Sequence, residues 1–201
     1  MKKKETYIVY GSKGYIGSKI INLLRKKKQK IICVKKNLYS KKIGNVIYCV
    51  GSDDWSINPF KTYNSNFVHL YNFFKKKIKY KTFTYISTTR LYLNLKNKIA
   101  SEDDDLVINK KNNSIFNLQK LMSESLLSFY KNIKIIRLSN VYGYCVNKKT
   151  ILPTIIRDSI LKKKIIISVN LNSQKDFISE NDAVRNIYLL VKKKNCQEHI
   201  I

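Results

Sequence analysis

The sequence predicts an α/β fold with a doubly wound parallel sheet. Short apolar runs of strand length recur along it: Tyr7–Tyr10, Ile31–Val34, Val46–Val50, Phe83–Ile86 and Ile133–Leu138. Most are separated by stretches whose apolar residues fall at helical spacing. The runs are continuously apolar rather than alternating, as in strands covered on both faces. Strands that alternate with helices build a parallel sheet with helices on either side. At 201 residues the chain is of a length for one domain with its own core.

Each element has a local reason. Tyr7–Tyr10 runs into Gly11, Gly14 and Gly17, after which Ile20, Ile21, Leu23 and Leu24 form a helical stripe. Lys26–Lys28 closes that helix with positive charge, which suits the negative end of its dipole. Only about ten residues separate Ile31–Val34 from Val46–Val50, fewer than a crossover helix needs. Phe67–Phe74 reads as a helix ended by Lys75–Lys77. Ser87–Thr88–Thr89 follows the next strand, and residues 90–114 read as a long polar loop holding the acids Glu102–Asp105. Ile115–Tyr130 reads as a helix with Phe116, Leu118, Leu121, Met122, Leu126, Leu127 and Phe129 as its apolar positions. Thr150–Leu161 is a helix with Pro153 in its first turn. Ile165–Val169 is strand-like, and Asn181–Val191 is a last helix. There is no internal repeat or linker.

The formal charge, +27, is the usual footprint of a nucleic-acid binder. Yet 35 of the basic residues are Lys and 5 are Arg, and 28 Ile, 21 Asn and 14 Tyr stand against 2 Ala. That is the composition A/T-rich codons favour. Base recognition favours the Arg fork, so nucleic acid is not an expected partner. The lysine triplets at 2–4, 26–28, 75–77, 162–164 and 192–194 read as solvated helix ends. No apolar run approaches the roughly 20 residues of a membrane span. The opening MKKKETYIVYG lacks the apolar core of a secretory signal. The expected compartment is the cytoplasm. Cysteines 33, 49, 145 and 196 contain no CxxC and read as buried free thiols. No metal is expected, because Glu102–Asp105 has no companion ligands and His69 and His199 stand alone.

The chemistry starts at Gly11-Ser-Lys-Gly14-Tyr-Ile-Gly17, which follows a strand and opens a helix. Gly11 permits a tight turn, Gly14 lets backbone approach a pyrophosphate, and Gly17 lets the helix pack on the strand. The helix N-terminus then offers N–H groups and positive dipole to phosphates. Lys13, Tyr15 and Ile16 complete that loop as cofactor-binding candidates. Where dinucleotide binders of this architecture carry an acid for NAD at the end of the second strand, this chain reads Val34-Lys35-Lys36. Lys35 and Lys36, with Lys13, tip the expected cofactor from NAD toward NADP.

This GxxGxxG spacing resembles the short-chain dehydrogenase/reductases. Later segments narrow it to the extended branch, the NAD-dependent epimerase/dehydratase family. Val46-Ile-Tyr-Cys-Val-Gly51 resembles the family's fourth strand, which implies that Val50 and Gly51 lie beside the nicotinamide. Asn58-Pro59 through Asn66 resembles its next segment. Phe83-Thr-Tyr-Ile-Ser87-Thr88-Thr89-Arg-Leu-Tyr92 resembles "vyiSSxxvY". Arg137-Leu-Ser-Asn140-Val-Tyr-Gly143 resembles "RxxNvYG". Lys175-Asp176-Phe-Ile-Ser-Glu-Asn-Asp182-Ala-Val resembles "RDFIxVxDva". The segments fall in family order over nearly the whole chain.

The resemblance implies a Rossmann-type domain over 1–201, with 145–201 a much reduced substrate lobe, in a chain that is either naturally minimal or truncated. It implies a nucleotide sugar as substrate and a homodimer. Thr88 matches the family Ser/Thr that hydrogen-bonds the substrate oxygen, and Lys120 the Lys that binds the ribose. Lys120-Leu-Met-Ser-Glu124 fits "KxxxE", with Glu124 read as an ion partner on the helix surface. Asn140 and Lys175 match positions near the nucleotide phosphates or substrate; for Asn140 a turn residue at a strand end is the other reading. The family Tyr, four residues before Lys120, is here Phe116, which has no proton to shuttle. YxxxK recurs at Tyr15/Lys19, Tyr71/Lys75, Tyr92/Lys96, Tyr130/Lys134, Tyr144/Lys148 and Tyr188/Lys192, each out of frame; Tyr92, after the Thr88 strand, is the nearest spare hydroxyl. Two functions remain open: an epimerase, dehydratase or reductase with an atypical site, or an inactive dinucleotide-binding sensor or partner subunit.

Overall fold

The computed structural model describes residues 4–35, 38–52, 58–95, 99–109, 114–143, 151–163, 165, 172 and 174–193. In chain order the first elements are β1 (Thr6–Tyr10), α1 (Tyr15–Lys26), β2 (Lys30–Cys33), β3 (Asn45–Tyr48), α2 (Pro59–Tyr63), a π turn (Asn64–Val68), α3 (His69–Lys75) and β4 (Thr82–Thr88). A 3₁₀ turn (Thr89–Tyr92), α4 (Ser114–Leu127), β5 (Ile133–Leu138), β6 (Asn140–Tyr142), α5 (Ile151–Lys162), β7 (Phe177–Ser179) and α6 (Glu180–Lys192) complete it. Five strands form a parallel sheet in the order β2-β1-β3-β4-β5. The second and third strands therefore flank the first, and the described residues of the connection between them hold no helix.

Strand alternation builds two cores. Tyr7 and Val9 of β1 face α1 and α6, with Ile20, Leu24, Ala183 and Ile187. Ile8 and Tyr10 face the opposite side, with Leu70, Phe73, Phe83 and Leu127. Successive side chains of a strand point to opposite faces, so one five-residue run supplies both layers. Each fully buried side chain of this size contributes about 1.5–3 kcal/mol. Tyr10, Tyr39, Tyr48 and His69 fill the space beside the short crossover. Tyr39 stacks on His69 at 4.9 Å, and Tyr48 Oη lies 2.8 Å from His69 Nδ1. Burial lowers the His69 pKa, against a hydrogen bond with the Leu38 backbone. His69 is thus a packing residue.

Several expectations need correction. The helix expected over Phe67–Phe74 is the last part of a helical run that starts at Pro59. Asn58 Oδ1 accepts from Lys61 N at 2.8 Å and Pro59 opens the first turn, a cap the Asn-Pro pair encodes. The expected loop over 90–114 begins with the 3₁₀ turn. β6 and β7, three residues each, pair in parallel as a second small sheet and are too short to show a period. Cys33 is exposed rather than buried, because β2 is an edge strand; Cys49, just after the interior strand β3, is partly buried against the first core. Lys36, most of the strand-like run Ile165–Val169, Cys145, Cys196 and His199 lie outside the described residues; Ile165 itself is not in a strand. No described helix is long and apolar enough to cross a membrane.

Lys134 carries an unexpected structural role. It is buried in β5, and its Nζ donates to the carbonyls of Leu190, Val191 and Lys193 at 2.5–3.1 Å. A cation therefore satisfies the carbonyl end of α6 and complements its dipole. Lys134→Met is expected to lower stability by about 1–3 kcal/mol. A urea midpoint unchanged from wild type would show that α6 does not depend on this cap.

Candidate functional site

The site is built around the loop after β1. Gly11 has φ +75°, and a Cβ there would lie 2.5 Å from Cys49 O, at the end of β3. A Cβ on Gly17 would lie 2.2 Å from Gly11 O. Only glycine permits both approaches, so the loops after β1 and β3 touch and α1 is seated against them. Gly14 N donates to Gly11 O at 2.9 Å and closes the turn. Gly14 caps α1 with no side-chain hydrogen bond, and no acid lies in the first turn. Positive dipole at an uncapped N-terminus is what a pyrophosphate needs. Strand order reverses around β1, which places this N-terminus at the switch-point crevice.

Asn66 organises the other side. It is fully buried in the π turn; its Oδ1 accepts from Ser52 N at 2.8 Å, and its Nδ2 donates to Ser52 O and Gln119 Oε1, both at 2.9 Å. Ser123 Oγ donates to Asn66 O. One amide thus ties the loop after β3 to α4. A π turn re-aims one residue within a helix. Only "Asn66" in the resemblance hinted at it; Gln119 and Ser123 carried no sequence signal.

Lys120 lies under that loop. Its Nζ would be 3.6 Å from a Cβ on Gly51, donates to Ile86 O at 2.9 Å, and sits 4.7 Å from the Tyr85 ring centroid. The side chain is buried. Its charge acts against the burial that pushes the Cys49 thiol up to about 12, so that thiol is no nucleophile. Phe116, one turn earlier on α4, is 9% exposed, with Lys120 Nζ 5.9 Å and the Arg90 guanidinium 5.4 Å from its ring centroid. Thr88 ends β4, and its Oγ1 accepts from Arg90 N at 3.2 Å. The structure therefore brings together Gly11, Gly14, Gly17, Val50, Gly51, Thr88, Phe116 and Lys120 along the carboxyl ends of β1, β3 and β4. Tyr15 and Ile16 open α1 beside them.

Glu124 is buried, not on the helix surface. Its carboxylate accepts from Ser87 Oγ, and from Arg137 Nη2 at 2.7 Å and Nε at 3.2 Å. Arg137 Nη1 donates to Tyr92 Oη at 2.6 Å, and its guanidinium lies 5.0 Å from that ring centroid. Burial alone would lower the Arg137 pKa; the Glu124 hydrogen bonds and charge, with Tyr92, raise it. The Tyr92 hydroxyl is thus engaged in this cluster. Ser87 and Arg137 are register partners on β4 and β5, which puts both beneath the same turn of α4.

The remaining candidates are peripheral. Asn140 is exposed in β6 and donates to Asp176 O at 3.0 Å, which fixes the segment holding the exposed Lys175. Lys13 and Lys35 are exposed. Tyr15 Oη and Lys19 Nζ donate to Glu180, at 2.7 and 2.8 Å, joining α1 to α6. Burial would raise the Glu180 pKa, but these two hydrogen bonds outweigh it and lower it. No group of three metal-ligating side chains occurs among the described residues. A shallow groove of about 390 Å³, lined by Ile43, Phe74, Ile78, Tyr80 and Tyr130, lies at the amino ends of the strands, away from this site.

A sequence model of the NAD dependent epimerase/dehydratase family matches residues 7–201. A search of curated proteins gives no match. Among solved structures, UDP-N-acetylglucosamine 4-epimerase from Methanobrevibacter ruminantium M1, in complex with UDP-N-acetylmuramic acid, has TM-score 0.83 at 16% identity, over 99% of this chain and 76% of that one. UDP-glucuronic acid 4-epimerase from Bacillus cereus, with UDP-glucuronic acid and NAD, has TM-score 0.80 at 18% identity, over 98% and 76%. dTDP-glucose 4,6-dehydratase from Bacillus anthracis str. Ames, with NAD, has TM-score 0.79 at 16% identity, over 98% and 75%. The fold is thus Rossmann-like, and about a quarter of each of those chains has no counterpart in this one.

The buried ion pair can be tested alone. Glu124→Ala leaves Arg137 buried without its carboxylate and is expected to cost about 3–5 kcal/mol in urea unfolding. Replacing both members by Met is expected to recover most of that loss. A Glu124→Ala protein as stable as wild type would mean that water reaches the pair.

Proposed function

Because the chain belongs to the NAD dependent epimerase/dehydratase family, we propose that it holds a nicotinamide dinucleotide across the β1–β3 crevice and a nucleotide-linked sugar in front of Thr88 and Phe116. The observation that carries this reading is one convergence. The uncapped N-terminus of α1 and the buried Lys120 ammonium meet at the touching loops after β1 and β3. In this reading Gly11, Gly14 and Gly17 cradle the pyrophosphate with the backbone of Tyr15 and Ile16. Lys120 orients the ribose beside Val50 and Gly51. Thr88 hydrogen-bonds the reacting oxygen of the sugar. Asn140 holds the backbone beside Lys175, whose charge faces the nucleotide phosphates. When bound, the nicotinamide supplies a hydride acceptor and donor. Exposed Lys13 and Lys35, together with Lys36, support NADP over NAD. All of 1–201 acts as one domain, with 145–201 serving as the small substrate lobe. The cytoplasm, where free thiols such as Cys33 stay reduced, is the compartment that suits it.

Phe116 divides the two readings of activity. An enzyme would need another proton donor. A sensor or partner subunit would need only the two binding sites, and the lack of a hydroxyl on the Phe116 ring beside Lys120 favours this second reading. Calorimetry with NAD and NADP, followed by turnover assays on nucleotide sugars, tests both. Dinucleotide binding is expected, NADP tighter, and Gly14→Asp should weaken it at least about tenfold by placing a carboxylate at the phosphate site. Phe116→Tyr is expected to raise turnover about a hundredfold or more, the scale of general acid–base catalysis. Wild-type protein that binds neither dinucleotide would overturn the reading.

We also propose a homodimer. Phe60, Tyr63 and Tyr71 of α2 and α3, and Ile115, Leu118 and Met122 of α4, expose apolar surface on neighbouring helices. Patches of this kind mark association sites. Light scattering is expected to show a dimer that the double change Leu118→Glu, Met122→Glu converts to a folded monomer. A monomeric wild type at tens of micromolar, on the order of ordinary dimer affinities, would remove the proposal.

A further inference from the structure

Glu180 joins three parts of the molecule that lie far apart in the chain. It is the first residue of α6, and its carboxylate accepts from Tyr15 Oη at 2.7 Å and from Lys19 Nζ at 2.8 Å. Tyr15 is the first residue of α1, so the contact reaches the turn that forms the phosphate cradle. On its other side Glu180 lies against Gly143, just beyond β6; a Cβ on Gly143 would lie 2.5 Å from Glu180 Cγ and Cδ. β6 also carries Asn140, which holds the segment with Lys175. One side chain thus touches both the dinucleotide side and the sugar-nucleotide side of the proposed site. The family pattern "RDFIxVxDva" has Val at this position, where this chain has Glu180. Val would fill space but accept neither hydrogen bond.

β6 and β7 have three residues each, and a two-stranded sheet of that size is marginal by itself. Its seat against α1 therefore depends on contacts made across the interface. Glu180 supplies two charge-assisted hydrogen bonds there, which fix both distance and direction. We propose that Glu180 is a positioning residue that couples the two ligand sites. Dinucleotide bound at the start of α1 fixes Tyr15 and Lys19, these hold Glu180, and Glu180 holds β6 where it meets the sugar nucleotide. This rests on the sugar-nucleotide reading above. Two ligands that favour the same seating of β6 and β7 bind cooperatively, and the coupling is reciprocal.

The test is calorimetry on the full chain with UDP-glucose and dTDP-glucose as probes, each titrated with and without saturating NAD(P). Wild type is expected to bind the better probe about tenfold tighter with dinucleotide present, and dinucleotide about tenfold tighter with that probe present. Glu180→Val is expected to keep its affinity for each ligand alone within about twofold, while the coupling factor falls below about twofold. Glu180→Gln keeps an acceptor and loses the charge; Lys19→Met removes the cation and leaves Tyr15. Both are expected to fall between. Lys19→Met carries the comparison alone if Glu180→Val does not fold. A Glu180 that only stabilises the fold would weaken each ligand alone and leave the coupling factor unchanged. An unchanged factor in Glu180→Val or in Lys19→Met overturns the proposal, as does a wild type without coupling. Those outcomes leave the sugar-nucleotide reading standing. Failure of both sugar nucleotides to bind overturns that reading and this proposal together.

Discussion

Two backbone approaches that exclude a Cβ hold this molecule in its functional shape. Gly11 lies against the carbonyl of Cys49, and Gly17 against the carbonyl of Gly11. The first joins the loops after β1 and β3; the second seats α1 on that junction. The crevice, the direction of the helix dipole and the cover over Lys120 all follow from them. A methyl group at either glycine would push α1 away from the strand ends and open the loop that Asn66 clamps. The cost would be steric, so no nearby side chain could offset it by a change of rotamer.

α4 shows how packing departs from simple amphipathicity. Its buried face holds Asn117, Gln119, Lys120, Ser123 and Glu124, while Ile115, Leu118 and Met122 face outward. Burying polar groups is unfavourable unless each finds a partner. Here Gln119 meets Asn66, Ser123 meets Asn66 O, Lys120 meets Ile86 O and Glu124 meets Arg137, while Asn117 Oδ1, alone on this face, lacks a hydrogen-bond partner among the described residues. The helix is held by specific hydrogen bonds where an ordinary core helix is held by area. Precise placement of Lys120 and Phe116 relative to β4 follows, because each partner fixes both distance and direction.

The parallel sheet was legible because strand runs and the helical stripes between them are local signals; the strand order around β1 was not. Thr88, Phe116 and Lys120 were singled out by the family resemblance; the structure puts Phe116 and Lys120 one turn apart on α4, as the shared helical face of 116, 120 and 124 requires. The polar burial of α4 was not legible, because a hydrophobic stripe is the only burial signal a periodicity carries. Glu124 looked like a surface residue for that reason; its partners Ser87 and Arg137 come from two other strands. The start of the helical run at Pro59 was encoded by Asn58-Pro59, yet its apolar residues are interrupted by the polar π turn. β6 and β7 depend on pairing Asn140 with Phe177 across a long stretch of intervening chain, which no local pattern reveals.

The Phe at 116 is best understood together with its surroundings. A vestigial position would be expected to drift toward any residue that fills the space. Here the ring lies beside two cations and stays 9% exposed. A phenol at the same place would bring its hydroxyl to the edge of the ring, next to Lys120, and would favour the phenolate there. With Phe at 116 that position carries no hydroxyl, while Lys120 Nζ still donates to Ile86 O. On the proposed reading, any proton transfer is therefore routed through a group other than residue 116, and Lys120 serves the dinucleotide alone.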